Sequence, residues 1–377
     1  MVLIFKKHRM VEKDFLKIAM IGSKGLPVIY GGIERHVAEI SKRLVAKGHR
    51  VTVYGRRPFS KNGLFDDIEV RVIPALHTKN LETATNSFLS TLNALFGGYD
   101  IIHFHGIGPT FFSLAPVLIS IPTVSTIHAP DYMQKKWGGA ARFFLRMGER
   151  IALKYCRASI SVSKTMFSYL DRKGYKNIHY IPNGTTIREA PAFKEAAKFG
   201  IEKGKYILAV GRFIVERNFH ILIKAFNAID SNIKLVIVGD SRFDPEYAAG
   251  LMAMANDRVI FPGYTTGRLL DELYANSFFY CLPSSLEGLS ISLLEAMSFS
   301  CPVILSDINV NREVAQDIGI FFRNGDMEDL IKVLKRALSM DEAERSSLGE
   351  RARKRVENEY NWDDITEKIE RLYFKLL

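Results

Sequence analysis

Short apolar runs alternate with amphipathic segments along nearly the whole chain, and this alternation occurs in two successive sets. In the first half the apolar runs predict strands at Lys17–Ser23, Arg50–Arg56, Glu69–Ala75, Asp100–Gly106, Thr123–Ala129, Ala158–Ser163 and Ile178–Ile181. In the second half they predict strands at Lys205–Arg212, Lys234–Asp240, Arg258–Tyr264, Phe278–Ser284, Pro302–Ser306 and Gly319–Phe322. Continuous apolar strands separated by helices are typical of parallel sheets covered on both faces. The pattern therefore predicts an α/β protein with two doubly wound, Rossmann-like domains.

A polar stretch, Asn183–Lys203, separates the two sets of predicted strands. We predict a first domain over residues 1–190, a second over residues 191–360, and a C-terminal helix over residues 361–377 that packs back on the first domain. In doubly wound sheets, ligands bind beyond the carboxyl ends of the strands. Two such domains facing each other would form a cleft for two substrates.

The charge of the chain is distributed unevenly. The net charge is +11, but residues 1–190 carry a net charge of +15 and residues 191–377 a net charge of −4. Such asymmetry suggests that the first half faces an anionic partner. The basic residues expected to contribute to this surface are Lys6, Lys7, Arg9, Lys42, Arg43, Lys47, Arg142, Arg146, Arg150 and Lys154. Nucleic acid, an acidic membrane surface and a phosphorylated acceptor are candidates, and a basic, solvated surface without a partner is the alternative.

Cysteine content and hydropathy both favour a cytoplasmic protein. The three cysteines, which have no metal-binding spacing and fit reduced thiols, are Cys156, Cys281 and Cys301. The first 15 residues do not form a convincing signal peptide. The uncharged run Gly106–Ile127 has the length of a bilayer span. Three prolines interrupt it, so we expect a buried helix followed by a buried strand instead.

The segment Pro283–Met297 carries the strongest functional signal in the sequence. It predicts a strand end, a loop of small residues, and a helix that begins near Leu289. Glu287 would lie at the rim of the loop and Glu295 two turns into the helix. Free backbone N–H groups at a helix start bind phosphate or hydroxyl oxygens, and an ionised carboxylate accepts hydrogen bonds from a diol. Because apolar residues surround Glu295, we expect it to have a charged partner or a ligand.

Two further strand ends carry candidate site residues. Arg212 and Arg217 follow the first predicted strand of the second domain, where like charges at a helix start favour a bound anion. Gly31 and Gly32 stand before the first predicted helix, where a backbone without side chains can approach a phosphate closely, although a tight turn would explain them equally well. His128 ends the strand at residues 123–127 and would face the cleft.

Glu-x7-Glu in the segment Ser285–Met297 resembles the signature of the retaining GT-B glycosyltransferases of family 4, and the resemblance extends from Lys17 to about Tyr373. It implies the GT-B fold, which consists of two Rossmann-like domains facing a cleft. In that family the second glutamate binds the donor ribose and the first lies against the donor sugar. The resemblance assigns these roles to Glu295 and Glu287.

The resemblance assigns roles to the other candidates as well. In the family an Arg and a Lys clamp the donor pyrophosphate; Arg212 matches the first, and Arg217 stands where Lys is usual. The glycine loop contacts the donor phosphate or the acceptor, and a histidine at the position of His128 forms hydrogen bonds in the reaction centre. His105 would shape the acceptor pocket, whereas His103 would belong to the core. The remaining predicted donor contacts are Tyr264, Gly288, Leu289 and Ser290.

A narrower resemblance involves Asp131–Gly138, which follows His128. An acidic residue and a Lys-Trp-Gly run at this place are similar to a branch described as bacterial rhamnosyltransferase-like. The implied enzyme is a hexosyl- or deoxyhexosyltransferase of bacterial surface glycans such as lipopolysaccharide or capsule. It would transfer a sugar, with retention, from a UDP-, TDP- or GDP-sugar to a lipid-diphosphate-linked or polysaccharide acceptor. We expect it to be cytoplasmic and peripheral on the inner face of the cell membrane.

The sequence predicts no cofactor and no metal, since it contains no Asp-x-Asp motif and no His/Cys cluster of ligand spacing. Two other functions compete with sugar transfer. One is another GT-B enzyme, such as a sugar-nucleotide epimerase or a phosphorylase, although the lysine context of a pyridoxal-phosphate phosphorylase is missing. The other is a nucleic-acid-binding protein that uses the basic first half, although no recognised binding motif supports it.

Overall fold

The computed structural model describes residues 14–28, 31–76, 81–239, 242 and 244–377. Its first sheet consists of β1 (Lys17–Ile21), β2 (Arg50–Gly55), β3 (Gly63–Phe65), β4 (Ile68–Val72), β5 (Ile101–His105), β6 (Thr123–Ile127), β7 (Ala158–Ser161) and β8 (Ile178–Tyr180). The strand order is β3-β4-β2-β1-β5-β6-β7-β8, and each neighbouring pair is parallel except β3 with β4. This sheet is the centre of the first domain.

The second sheet is wholly parallel. It consists of β9 (Tyr206–Val210), β10 (Lys234–Val238), β11 (Val259–Gly263), β12 (Phe279–Leu282), β13 (Val303–Ser306) and β14 (Ile320–Phe322). The strand order is β11-β10-β9-β12-β13-β14, so the order reverses beside β9. Ligands of doubly wound sheets bind at such a switch point. The two-domain α/β architecture and its strands confirm the fold predicted from the apolar pattern.

Helices cover both sheets. The first domain contains α1 (Gly32–Ala46), α2 (Glu82–Leu95), α3 (Ile107–Thr110), α4 (Leu114–Leu118), α5 (Gly139–Tyr155) and α6 (Lys164–Arg172). Later in the chain come α7 (Phe219–Asn227), α8 (Pro245–Met254), α9 (Arg268–Ala275), α10 (Ile291–Ser298), α11 (Asn309–Ala315), α12 (Met327–Leu338), α13 (Glu342–Glu359) and α14 (Trp362–Leu376). Short 3₁₀ helices span Phe111–Ser113, Asp131–Met133, Ala196–Phe199 and Val215–Arg217. Within the described ranges, no helix is both long and apolar enough to cross a bilayer.

The helix α14 returns to the first domain, as the sequence predicts. Its Trp362, Ile365 and Ile369 are buried in one apolar cluster with Val37 and Ile40 of α1. Burial of aliphatic and aromatic side chains contributes about 1.5–3 kcal/mol for each, which fixes the helix on α1.

Ion pairs reinforce this packing, and they involve basic residues that were expected to belong to a partner-binding surface. The sequence suggested that Lys42, Arg43 and Lys47 belong to a basic surface that faces a membrane. Instead, Arg43 Nε lies 2.5 Å from Asp363 Oδ1, and Lys47 is paired with Glu370, so these two cations hold α14. The other expected contributors Lys6, Lys7 and Arg9 lie outside the described residues.

Two segments cross between the domains, and they are paired with each other. The first follows β8 and the second joins α13 to α14. The Thr185 N–H donates to the Tyr360 carbonyl at 2.7 Å, and Thr185 forms a parallel bridge with Asn361. Gly184 lies so close to Trp362 that a Cβ atom would be 2.9 Å from the indole ring. The two crossings therefore form one packed unit.

Candidate active site

The glycine loop begins α1 and faces the second domain. Gly31 precedes the helix with a φ of 95°, a conformation that side chains disfavour. The Glu34 carboxylate folds back over the loop, where its Oε1 accepts a hydrogen bond from the Lys24 N–H at 3.1 Å. A Cβ atom on Gly32 would lie 3.8 Å from Ile291 Cδ1 in α10. The structure thus places the predicted phosphate-binding loop against the start of α10.

Two arginines follow β9, at the switch point of the second sheet. Arg217 forms an ion pair with Glu287, and its Nη1 lies 3.4 Å from Ser284 Oγ. Burial and the neighbouring Arg217 lower the pKa of Arg212, whereas Glu34 of the first domain raises it. Two guanidinium groups close together at the amino ends of helices provide strong donors for an anion. The predicted clamp residues are therefore adjacent, with carboxylates from both domains around them.

The loop before α10 is held in place on both sides. Ser290 caps the helix, because its Oγ accepts a hydrogen bond from the Leu293 N–H at 3.4 Å, so α10 begins two residues after the predicted start. Asn183 Nδ2 donates to the Leu289 carbonyl at 2.9 Å. At Gly288 a Cβ atom would lie 1.5 Å from the His128 carbonyl oxygen. Only glycine permits this approach of the two domains.

Glu295 lies in the second turn of α10 and is paired, as its apolar context predicts. Its Oε2 accepts a hydrogen bond from the Tyr274 hydroxyl at 3.2 Å, and its Oε1 lies 3.6 Å from Arg35 Nη2. Burial raises the pKa of the Glu295 carboxyl, while Arg35 and Arg188 oppose that shift. Arg35 belongs to α1, so this pair spans the cleft between the domains.

Tyr264 is the predicted donor contact farthest from the others along the sheet. It follows β11, which is the edge strand, and its side chain is 40% exposed. The structure thus places it at the same carboxyl edge as Arg212 but two strands away. A phenol ring at this edge has a flat face of the kind that stacks with planar ligands.

Four histidines lie close together behind the cleft: one in α1, two in β5 and one directly after β6. The rings of His36 and His128 are 4.7 Å apart, and those of His103 and His105 are 4.2 Å apart. Burial lowers the pKa of His36 to about 4 and lowers the pKa values of the other three well below the usual range. The imidazoles are therefore neutral at pH 7. His105 was expected to shape the acceptor pocket, but it is buried.

The structure brings further residues to the site that the sequence did not identify. Arg35 and His36 directly follow the glycine loop, yet no periodic pattern distinguishes them from other residues of α1. Asn183 was part of a predicted turn, and in the structure its amide links His36 to the α10 loop. Asp131, which the sequence had singled out only as the acidic residue of the narrower resemblance, lies near Arg212, and burial raises the pKa of its carboxyl to about 6. A polar residue in an interdomain turn was the available signal for Asn183.

Comparisons with known proteins agree with this arrangement. The family described as Glycosyltransferase Family 4 matches residues 30–189, and that described as Glycosyl transferases group 1 matches residues 192–355. Together these matches cover every strand of both sheets except β1. The chain belongs to the family 4 glycosyltransferases.

Relatives of this family 4 glycosyltransferase match it along nearly its full length. An uncharacterized glycosyltransferase of Methanocaldococcus jannaschii is 26% identical over an alignment of 390 positions, gaps included. The alignment covers 95% of this chain and 98% of the relative. The O-antigen chain mannosyltransferase C of Escherichia coli is 26% identical over 371 residues, which cover 93% of this chain and 96% of the relative.

Solved structures share the fold of this family 4 glycosyltransferase. A sucrose-phosphate synthase from Thermosynechococcus elongatus superimposes with a TM-score of 0.83 at 21% identity, and the match covers 96% of this chain and 99% of that chain. Anabaena HepE in complex with UDP-glucose superimposes with a TM-score of 0.78 at 18% identity, and the match covers 96% of this chain and 100% of that chain. The two-domain GT-B architecture is thereby confirmed.

Proposed function

We propose that this glycosyltransferase transfers a hexosyl or deoxyhexosyl group, with retention, from a nucleoside-diphosphate sugar to a lipid-linked or polysaccharide acceptor of a bacterial surface glycan. The observation that carries the proposal is the pair of guanidinium groups, Arg212 and Arg217, at the switch point of the second sheet beside Glu287 and the start of α10. That arrangement supports the binding of a diphosphate next to a sugar. The complex of HepE with UDP-glucose, which has the same fold, also supports a nucleotide-sugar donor.

In this proposal the donor lies along the carboxyl edge of the second sheet. The diphosphate binds Arg212 and Arg217, and the ribose diol donates hydrogen bonds to the Glu295 carboxylate. Glu295 is already oriented by the Tyr274 hydroxyl. A flat base stacks near Tyr264 at the edge of the sheet. The donor sugar then lies between Glu287 and His128, where the two domains meet.

The residues of this chain contribute to catalysis mainly through electrostatics. As the glycosidic bond breaks, negative charge develops on the departing diphosphate, and Arg212 and Arg217 stabilise it. Groups that are already oriented toward developing charge need no reorganisation during the reaction. His128, neutral at pH 7, forms a hydrogen bond with the sugar. We expect front-face transfer, in which the acceptor enters from the side that the leaving group departs from, because the family that the chain resembles retains the anomeric configuration.

The acceptor side of the proposal depends on α5. Arg142, Arg146, Arg150 and Lys154, here called the α5 basic face, are exposed. Phe143 is 66% exposed beside them, whereas Phe144 turns inward and its ring lies 4.5 Å from that of Phe111. Basic side chains around an exposed aromatic ring suit the interface of an anionic membrane. We propose that this face brings the cleft to a lipid-diphosphate acceptor.

A donor screen tests the proposed reaction. Purified protein is incubated with UDP-, TDP- and GDP-sugars, and both the melting temperature and the products are measured. A true donor at 100 times its Kd stabilises the folded protein by about 2.7 kcal/mol and is slowly hydrolysed. An Arg212→Ala variant is the negative control. Conversion of the sugar into an epimer, with no release of nucleoside diphosphate, would identify an epimerase instead.

Vesicle sedimentation tests the membrane surface. We expect binding to vesicles that contain phosphatidylglycerol, no binding to phosphatidylcholine vesicles, and release at high salt. Replacing Arg142, Arg146 and Arg150 with Gln should weaken binding roughly 100-fold, since each basic residue contributes about 1 kcal/mol. The matched control replaces three exposed lysines of the second domain with Gln: Lys203, Lys332 and Lys335. Equal recovery of wild type and both variants with anionic vesicles would exclude the α5 basic face.

A further inference from the structure

Three histidines from separate elements converge behind the cleft. His36 comes from α1, His105 ends β5 and His128 follows β6. One ring nitrogen from each lies within 4.8 Å of the other two. The ring centroids of His36 and His105 are 5.4 Å apart, and those of His105 and His128 are 5.7 Å apart. Imidazole nitrogens at these separations are candidates for a shared ligand.

The tautomer of His36 follows from its neighbour. Asn183 donates through Nδ2 to the Leu289 carbonyl, so its Oδ1 is the atom that faces His36 Nδ1, at 2.9 Å. An amide oxygen only accepts hydrogen bonds; His36 Nδ1 must therefore carry the proton. His36 Nε2 is then a lone-pair nitrogen. It is fully buried and has no hydrogen-bond partner among the residues that the structure describes.

The other two rings present nitrogens to the same place. His105 Nε2 lies 3.3 Å from Met20 Sδ, which leaves Nδ1 for the cluster. That Nδ1 lies 3.5 Å from His128 Nε2. A buried lone pair without a partner costs about 1–3 kcal/mol. A ligand that accepts electron pairs from all three rings would remove that cost, and a metal ion is such a ligand.

We propose that His36, His105 and His128 form a binding site for a divalent metal ion of the Zn²⁺ type. Neutral imidazole is a preferred zinc ligand, and sites with three protein ligands keep an open fourth position. Zn–N bonds of about 2.0–2.1 Å require nitrogens about 3.3 Å apart, so ring nitrogens that lie up to 4.8 Å apart must move closer when an ion binds. The His36–Asn183 hydrogen bond matches the outer partner that orients metal-bound histidines. His128 is half-buried, whereas His36 and His105 are buried, so an ion would reach the site past His128.

The consequence for activity rests on the proposed function. His128 bound to a metal no longer offers its ring nitrogen to the donor sugar. Zn²⁺ therefore inhibits sugar transfer, although the transfer itself does not use the ion. The site couples the activity of the enzyme to the concentration of free transition metal.

Metal binding is measured first, on the full chain without any sugar donor. Competition with a chromophoric zinc indicator gives the affinity and stoichiometry, and the visible absorption of bound Co²⁺ reports four-coordinate geometry. We expect one ion per chain. His36→Asn keeps a donor toward Asn183 but removes Nε2, and it should weaken Zn²⁺ binding at least 10-fold. Asn183→Ala should weaken it by about 10-fold through loss of the outer partner.

The control is His179→Asn, which changes a half-buried histidine on β8 outside the cluster and should bind Zn²⁺ like the wild type. Circular dichroism confirms that each variant is folded. Lack of stoichiometric binding by the wild type, or equal affinity in His36→Asn, would overturn the site. If Zn²⁺ binds but does not inhibit transfer, the site stands and the inhibitory role is wrong. A protein that binds Zn²⁺ yet transfers no sugar from any donor overturns only the proposed function.

Discussion

Arg35 Nη2 of α1 lies 3.6 Å from Glu295 Oε1 of α10, so the two domains are joined by an ion pair at the residue expected to bind the donor ribose. Without a donor, the Glu295 carboxylate is neutralised by a cation from the opposite domain. A ribose diol that binds Glu295 must share or replace that contact. Under the proposed ribose assignment, donor binding and the contact between the domains depend on the same carboxylate.

Glu295→Ala should weaken the binding of bare nucleoside diphosphates by roughly 10- to 100-fold, because hydrogen bonds to a charged group contribute about 1.5–3 kcal/mol. Calorimetry with UDP, TDP and GDP measures the effect. Glu287→Ala should bind nucleoside diphosphate almost normally and lose transfer instead. Equal nucleotide affinity in Glu295→Ala and the wild type would contradict the ribose assignment.

Arg212→Ala should lower turnover roughly 100- to 1000-fold while the protein stays folded, because one preorganised electrostatic stabiliser contributes that much to the rate. Steady-state kinetics with the identified donor give the value. Arg323→Ala, an exposed arginine elsewhere in the second domain, is the control. Wild-type turnover in Arg212→Ala would remove this residue from the site.

Gly288→Ala should lower transfer roughly 100-fold, because a Cβ atom would lie 1.5 Å from the His128 carbonyl and keep the domains apart. Misplacement of reacting groups by about 1 Å has effects of this size. The matched control is Gly250→Ala in α8, where a Cβ atom meets nothing within 4 Å. We expect Gly288→Ala to stay folded but to melt at a lower temperature, because the backbone must shift, whereas Gly250→Ala should be as stable as the wild type or slightly more stable. Normal transfer by Gly288→Ala would mean that the active enzyme does not adopt this contact.

Asp131→Asn should stabilise the protein by roughly 1–3 kcal/mol near pH 7 and have little effect near pH 4. Burial raises the pKa of Asp131 to about 6, whereas the usual value is near 3.8. Between these values the folded chain keeps a proton that the unfolded chain loses, so the stability of the wild type falls as the pH rises. Urea unfolding at the two pH values measures the difference. An equal effect of the substitution at both would show that the Asp131 pKa is not raised.

Sugar transfer should survive EDTA, since cationic side chains stabilise the leaving diphosphate. If Zn²⁺ contaminates the preparation, chelation should raise the activity, because it frees His128. Assays with and without EDTA, followed by addition of Mg²⁺, Mn²⁺ or Zn²⁺, distinguish these cases. Loss of activity on chelation and its restoration by Mg²⁺ or Mn²⁺ would make the metal-free mechanism wrong.

The apolar pattern predicted most of the fold because buried parallel strands are encoded locally. The strand β3 (Gly63–Phe65) was missed, since it is three residues long, exposed, and paired only at the edge of the sheet. The helical spacing of Ile33, Val37, Ile40 and Leu44 predicts the inward face of α1. Val37, Ile40 and Leu44 are fully buried, whereas Ile33 at the start of the helix is half-buried.

Contacts between distant segments could not be predicted in the same way. Arg35 and Glu295 are separated by 260 positions, and no local property of either residue indicates the other. From the sequence alone, Arg43 and Lys47 look like surface charges. In the fold, α14 places Asp363 and Glu370 beside them. The histidine cluster likewise exists only because α1 packs beside the ends of β5 and β6.

The pairing of the two interdomain crossings determines how the molecule can open. Thr185 and Tyr360 lie side by side and are hydrogen-bonded, so the two crossings form a single hinge between the domains. Rotation of one domain against the other about this hinge is the low-energy motion. Pulling the domains directly apart would stretch both crossings at once. In such a rotation, the atoms next to the hinge move least. Asn183, two residues from Thr185, can therefore keep its hydrogen bond with His36 while the edges of the cleft farthest from the hinge move apart.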